Sequence, residues 1–437
     1  MTGLKISYIG DRVRFFINRI HERLWIKPLL MSILSTVLVF LARFLDTTEI
    51  DRWVPSITTE SLETLLSIIS SSMLVIATFA VASMVSAYAS ASSSATPRSF
   101  SLVISDDVSQ NALSTFIGSF IFSIVAQIAL KNSLYDKGGR FVLFMLTILL
   151  FAIVIITFVS WVDRIARLGR IGATIKIIEN AATAALLQRR SAPALHGVPA
   201  DRHHHGGQPV YGNSIGYVQR VDVSKLQKYA ETTQSRIVLA ALPGTFSTPG
   251  RVLAYVHSET DESTELDSTQ VGQAFVIGDD RKFDEDPRFG LVALSEIASR
   301  ALSPAVNDPG TAIQILGSFV RLFSLWSEPL SDDEEPVFEF DRVEVPELSL
   351  HDMFADAFTG IARDGAGCVE VALRMQKAFE SLALFETGSL REAAMHYSHL
   401  SLARAKLALA LPEDFAAVQK IAKRVGQSDN KIYLDQQ

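Results

Sequence analysis

Apolar positions dominate the first third of this chain and then give way to shorter, alternating patterns. From Thr64 to Pro97 there is no Asp, Glu, Lys or Arg. As a helix rising 1.5 Å per residue this stretch would measure about 50 Å, against roughly 30 Å for the hydrocarbon core of a bilayer. It predicts a membrane span that protrudes, placed at residues 64–94. Further apolar runs predict spans at 24–44, 111–130 and 141–162. Trp25 and Arg43 bracket the first, and Trp161 closes the last, as interface anchors do.

Helical spacing puts Ser72, Ser83, Ser86 and Ser90 on one face of the second span, and Thr115, Ser119, Ser123 and Gln127 on one face of the third. Hydroxyls within hydrocarbon favour protein or water beside them. Both faces are therefore candidates for lining a polar path in a homo-oligomer whose subunits meet around an axis. Arg98, Asp106 and Asp107 follow the second span and are candidates for its cytoplasmic mouth. The alternative is plain packing, because serines with Ala77, Ala80, Ala82 and Gly118 also let helices approach closely in lipid.

Charge adds an orientation. Residues 1–23 form a basic segment with Arg12, Arg14, Arg19 and Arg23, whereas the loop from Leu45 to Glu63 is acidic. After the fourth span come Arg164, Arg167, Arg170, Lys176, Arg189 and Arg190. The positive-inside rule then predicts an uncleaved, multi-pass protein of a bacterial inner membrane with both termini cytoplasmic. Lys131, Lys137 and Arg140 are the minority on the outer side. The net charge of −7 argues against nucleic acid as a partner, and the single cysteine, Cys368, rules out an intramolecular disulfide.

The predicted fold class is an α-helical membrane domain of four transmembrane helices, residues 24–165, followed by a soluble α+β domain with a helical C-terminal part. Residues 166–213 read as a juxtamembrane helix and a linker rich in Pro, Gly and His, with His203, His204 and His205 solvated. Residues 214–326 carry strand-like runs at 217–221, 236–240 and 252–256 and a pair of helices that each begin with Asp-Pro. Residues 327–348 read as an acidic connector, and 349–437 as helices at 350–363, 366–384, 389–411 and 413–425.

The Asp-Pro pair holds the most distinctive polar residues: Asp284, Asp286 and Arg288 before the first helix, then Arg300, Ser303, Asn307, Asp308 and Thr311 around the second. Asp286 and Asp308 are placed to cap their helices, with Pro287 and Pro309 in the first turn, where no N–H is required. Two helix N-termini beside Arg281, Arg288 and Arg300 could instead hold a small anion such as phosphate. A third reading has Asp284, Asn307 and Asp308 holding Mg²⁺ or Ca²⁺. No Walker A loop, H-E-x-x-H, G-x-S-x-G or paired-cysteine site occurs, so the sequence names no catalytic residue and no cofactor.

The phrase R-A-L-S-P-x-x-N-D-P-x-T-A at residues 300–312, with D-x-D-P-R-F-G upstream, resembles a bacterial family of predicted inner-membrane proteins of unknown function. Gly216-Tyr217-Val218-Gln219, Pro97-Arg98, Gln110 and Thr115-Phe116-Ile117-Gly118 support the likeness. Thr96 stands where that family suggests Ser. The resemblance implies four spans and a cytosolic domain, and it carries over no reaction or ligand. Two functional readings follow from the residues: an oligomeric pore or transport component with a cytosolic regulatory domain, or a membrane-anchored sensor or scaffold.

Overall fold

The computed structural model describes residues 25–44, 54–94, 96–104, 107–167, 170–200, 206–258, 268–328, 338–385 and 388–426. Asp106 and His203 to His205 lie outside these. The chain divides into two compact units, residues 1–174 and 175–437.

The first unit contains four helices long and apolar enough to cross a membrane. They are α1 (Ile26–Phe44), α2 (Thr59–Ser94), α4 (Asp107–Lys131) and α5 (Lys137–Arg167), with the short α3 (Phe100–Ile104) between α2 and α4. Each exceeds or nearly matches the span expected at its place. Helix α4 is the centre, packed against α1, α2 and α5. Gly118 permits a close approach of α4 to α1, since a Cβ there would sit 3.2 Å from both Met31 Cβ and Ser35 Oγ.

Polar contacts at the helix ends show an up-and-down order. Lys27, at the start of α1, pairs with Asp107 at the start of α4. At the other end Tyr135, before α5, donates to the Val39 carbonyl near the end of α1 at 2.6 Å, and Arg140 of α5 donates to Thr59 of α2 at 3.1 Å. The beginning of α1 and the end of α5 therefore share one side.

The second unit opens with α6 (Ile171–Ser191), most of which belongs to it. Next come β1 (Gly197–Pro199), β2 (Gln208–Tyr211), β3 (Gly216–Val221), α7 (Val223–Thr233), β4 (Ser235–Leu239), β5 (Phe246–Ser247), β6 (Val252–Ser258), α8 (Ser268–Gly272) and β7 (Phe275–Gly278). The Asp-Pro helices α9 (Pro287–Ala301) and α10 (Pro309–Ser327) precede β8 (Phe340–Val345). Four helices finish the described chain: α11 (Leu350–Asp364), α12 (Val369–Leu382), α13 (Gly388–Ala408) and α14 (Pro412–Val425).

Five strands form a mixed sheet in the order β1-β8-β4-β6-β2, with β8 parallel to both β1 and β4, and β5-β3-β7 form a small antiparallel sheet. The three expected strands appear as β3, β4 and β6. Two stretches differ from expectation. The segment 191–213, expected as a linker, contributes both edge strands of the larger sheet, β1 and β2. The second half of the expected acidic connector is β8, whose Phe340, Val343 and Val345 enter the core. Glu344, buried on that strand, lies 3.7 Å from Arg236 of the neighbouring β4. An acid paired across strands sits inside a sheet that its charge alone argues against.

Helices α9 to α13 enclose an aromatic core. Phe323 stacks against Phe354 and Phe358 at 4.4 and 5.7 Å between ring centroids, and Phe358 meets Phe379 at 4.8 Å. Helix α6 completes this unit from the other flank. Glu179 accepts from Arg321 at 2.7 and 2.8 Å and from Ser318 at 2.8 Å, both on α10. Gly290 of α9 comes so close to α6 that a Cβ would fall 2.4 Å from Ala182 Cβ.

Candidate functional site

On α2 one face is committed to the bundle. Leu62, Leu66, Ile69, Met73, Ala77, Ala80, Met84 and Ala87, every third or fourth residue, are all buried. That repeat is a helix-packing seam. The serines predicted as pore-lining lie elsewhere: Ser72, Ser86 and Ser90 are exposed and Ser83 is half-buried. All four fall within roughly 60° of one another on the helical circle. Val75 and Phe79, both largely exposed, interrupt this face between Ser72 and Ser83. The serine positions thus flank an apolar turn.

The other hydroxyls of α2 look after themselves. Thr64, Ser70, Ser71 and Thr78 donate to carbonyls three or four residues back. Such a bond removes the need for an external partner. Ser72, Ser83 and Ser86 form no side-chain hydrogen bond among the described residues.

Helix α4 is different. Ser119 and Ser123 are fully buried and Thr115 and Gln127 partly so, within the chain's own bundle. Thr115 and Ser119 bond back to Asn111 and Thr115, while Gln127 reaches Ser70 of α2 at 3.4 Å. Among the described residues Ser123 Oγ is buried without a hydrogen-bond partner. Of the residues expected at a mouth, Arg98 is exposed on a one-turn helix capped by Thr96, and Asp107 is engaged by Lys27.

In the second unit the Asp-Pro motif proves to be capping first. Asp308 Oδ1 accepts from the Thr311 amide at 3.1 Å and its Oδ2 from the Thr311 hydroxyl at 2.6 Å. The turn between α9 and α10 is closed by Ser303, whose hydroxyl donates to the Arg300 carbonyl, and by Asn307, whose amide donates to the Ser303 carbonyl. Asn307 has φ +51°, a left-handed conformation that Asn tolerates better than most residues. Arg300, Ser303 and Asn307 are spread along this surface turn, and Asp284 is exposed. Among the described residues no three His, Cys, Asp or Glu side chains gather in a way that could hold a metal ion.

Asp286 is a junction as well as a cap. Its Oδ1 accepts from the Arg288 amide at 3.1 Å, its Oδ2 from Arg281 Nε at 2.7 Å, and it is only 2% exposed. Burial raises its pKa above the ordinary value, with Arg281 opposing. Gly244 packs directly on it: a Cβ there would fall 2.3 Å from Asp286 Oδ2, and φ is +92°. Beside it Glu285 pairs with the buried Arg220 at 3.2 Å. Arg288 grips Asp356 at 2.6 Å and Asp352 at 2.9 Å on α11.

Arg189 of α6 is the residue that sequence reasoning did not assign here. It is 3% exposed, and neither Nη1 nor Nη2 has a hydrogen-bond partner among the described residues. Burial lowers its pKa to about 10, with the charges of Glu285 and Asp286 opposing.

Residues 21–381 match the family described as "Predicted membrane protein (DUF2254)". The chain belongs to this family. Over 129 residues it is 35% identical to the uncharacterized protein MT1328 of Mycobacterium tuberculosis and, equally, to the uncharacterized protein Mb1321c of Mycobacterium bovis. Each match covers 29% of this chain and 25% of the relative. No solved structure matches.

Proposed function

We propose that this DUF2254 protein is a protomer of a homo-oligomeric pore or transport component of the bacterial inner membrane, with the serine face of α2 at the contact between protomers. The observation that carries the reading is that Ser72, Ser83 and Ser86 lie off the packing seam and make no side-chain hydrogen bond among the described residues, while neighbouring hydroxyls of the same helix do. Against lipid these groups gain nothing; against water or another protomer they are satisfied. Val75 and Phe79 would form the apolar constriction of such a path, a recognised way of gating by dewetting. The basic flanks support a cytosolic second unit, which would regulate the path.

Purified protein in mild detergent, weighed by light scattering and then reconstituted into liposomes, tests this. The expected result is an oligomer and solute or ion flux that Ser83→Leu with Ser86→Leu abolishes without unfolding the chain. A monomer with no flux would overturn it.

The second reading, a membrane-anchored sensor or scaffold, draws on α4: its hydroxyl face is enclosed by the chain's own helices and offers nothing to a shared path. Under this reading residues from about 170 onward, produced alone, would fold and bind the same partner as the full chain.

A further inference from the structure

The two helix-end amides that could attract an anion to α9 and α10 are already used, by Asp286 and Asp308. The donors left over lie elsewhere. Arg189 holds two terminal nitrogens away from solvent with no acceptor among the described residues. A guanidinium stays protonated; the nearby charges of Glu285 and Asp286 offset it in part, yet neither carboxylate accepts a hydrogen bond from Nη1 or Nη2, and native proteins pair such buried donors or bind something to them. The neighbouring carboxylates have other hydrogen-bond partners. Asp286 accepts from Arg281 and from the amide of Arg288. Glu285 is held by Arg220. Asp352 and Asp356, the other acids of the cluster, are engaged by Arg288.

We infer that Arg189, beside Glu285 and Asp286 at the start of α9, is the principal donor of a buried oxyanion site that takes a phosphate group. A planar guanidinium with two free N–H₂ groups matches two oxygens of a tetrahedral anion at once. The position is the opening of a helix of fifteen residues, whose dipole favours the same sign. The capping aspartate and the anion are complementary here. Asp286 holds Arg281 and the helix start in place, and Arg189 is left to bind. The site lies wholly in the second unit and does not depend on what the spans conduct.

The test uses the full-length chain in detergent, dialysed free of phosphate and sulfate. Isothermal titration and thermal unfolding are followed with inorganic phosphate, with sulfate, with a nucleoside diphosphate and with vesicles containing an anionic phospholipid. Saturable binding of inorganic phosphate with a rise in Tm is expected. Arg189→Lys, which keeps the charge and loses the fork, should weaken it about tenfold. Arg189→Met should remove it. Tighter binding of the nucleotide, or of the vesicles, than of phosphate would identify the source of the phosphate group and support the site. Phosphate binding that survives in Arg189→Met, or no binding by the parent, overturns it. Should Arg189→Met fail to fold, the parent still decides: a structure determined with selenate must show selenium density at the Arg189 guanidinium, and an ordered water alone there refutes the inference.

Discussion

Glu179 offers the sharpest energetic test of how the second unit is held together. Its carboxylate is nearly inaccessible and takes both Arg321 and Ser318 from α10. The Arg321 hydrogen bonds hold its pKa at about 2 instead of 4.5. Between those values the linkage ceiling is about 3 kcal/mol. Arg321 is more than half exposed, so solvent screens its share, and about 1–2 kcal/mol is the expected worth of the pair at pH 7. Because the folded pKa is depressed, this stability is complete above pH 4.5 and disappears as pH falls through about 2. Glu179→Gln should therefore lower stability at pH 7 by about that amount, and its deficit should shrink to less than about half at pH 3. Thermal and urea unfolding of the full chain from pH 7 to pH 3 measures this, with Arg321→Met and the double variant completing a cycle. A deficit that does not change with pH, or single effects that simply add in the double variant, would refute the argument.

Gly244→Ala would drive a methyl into Asp286 at a positive φ and should destabilise the chain by about 2 kcal/mol or more, read as a fall in Tm. Gly290→Ala presses on Ala182 of α6 and should cost about 1–3 kcal/mol by the same assay. Asp308→Ala removes the cap of α10 for about 1 kcal/mol, and that loss should be the same with and without phosphate. Cys368, the single cysteine, is partly exposed with its thiol pKa raised by burial. In right-side-out membrane vesicles a membrane-impermeant maleimide at mildly alkaline pH should label it only after lysis; labelling of intact vesicles would reverse the orientation.

The spans and the C-terminal helices were legible because their signals are local. An apolar run of sufficient length has few alternatives, and the observed α11 to α14 begin within a few residues of their expected starts. The edge strands were hidden for the opposite reason. Strands β1 and β2 lie among Gly, Pro and His and are held by pairing to distant partners, β8 and β6. Strand β8 carries Asp341, Arg342 and Glu344 within six residues, and the neighbour Arg236 pairs with the buried acid. The capping roles of Asp286 and Asp308 were readable from Asp-Pro alone. That Gly244 and Arg189 converge on the first of them, with Arg220 on the adjacent Glu285, was not, since these residues stand between 42 and 97 positions from Asp286 in sequence.

Arg189 also shows how one signal conceals another. In sequence it belongs to a run of basic residues after the last span, and its charge is fully explained by topology. In the fold α6 carries that charge inward while Arg190, the next residue, turns to Glu328. A charge selected only to orient a membrane protein would stay in water, where it is not penalised. One that is buried with both terminal nitrogens unspent among the described residues calls for a second reason, and the proposed oxyanion would supply it.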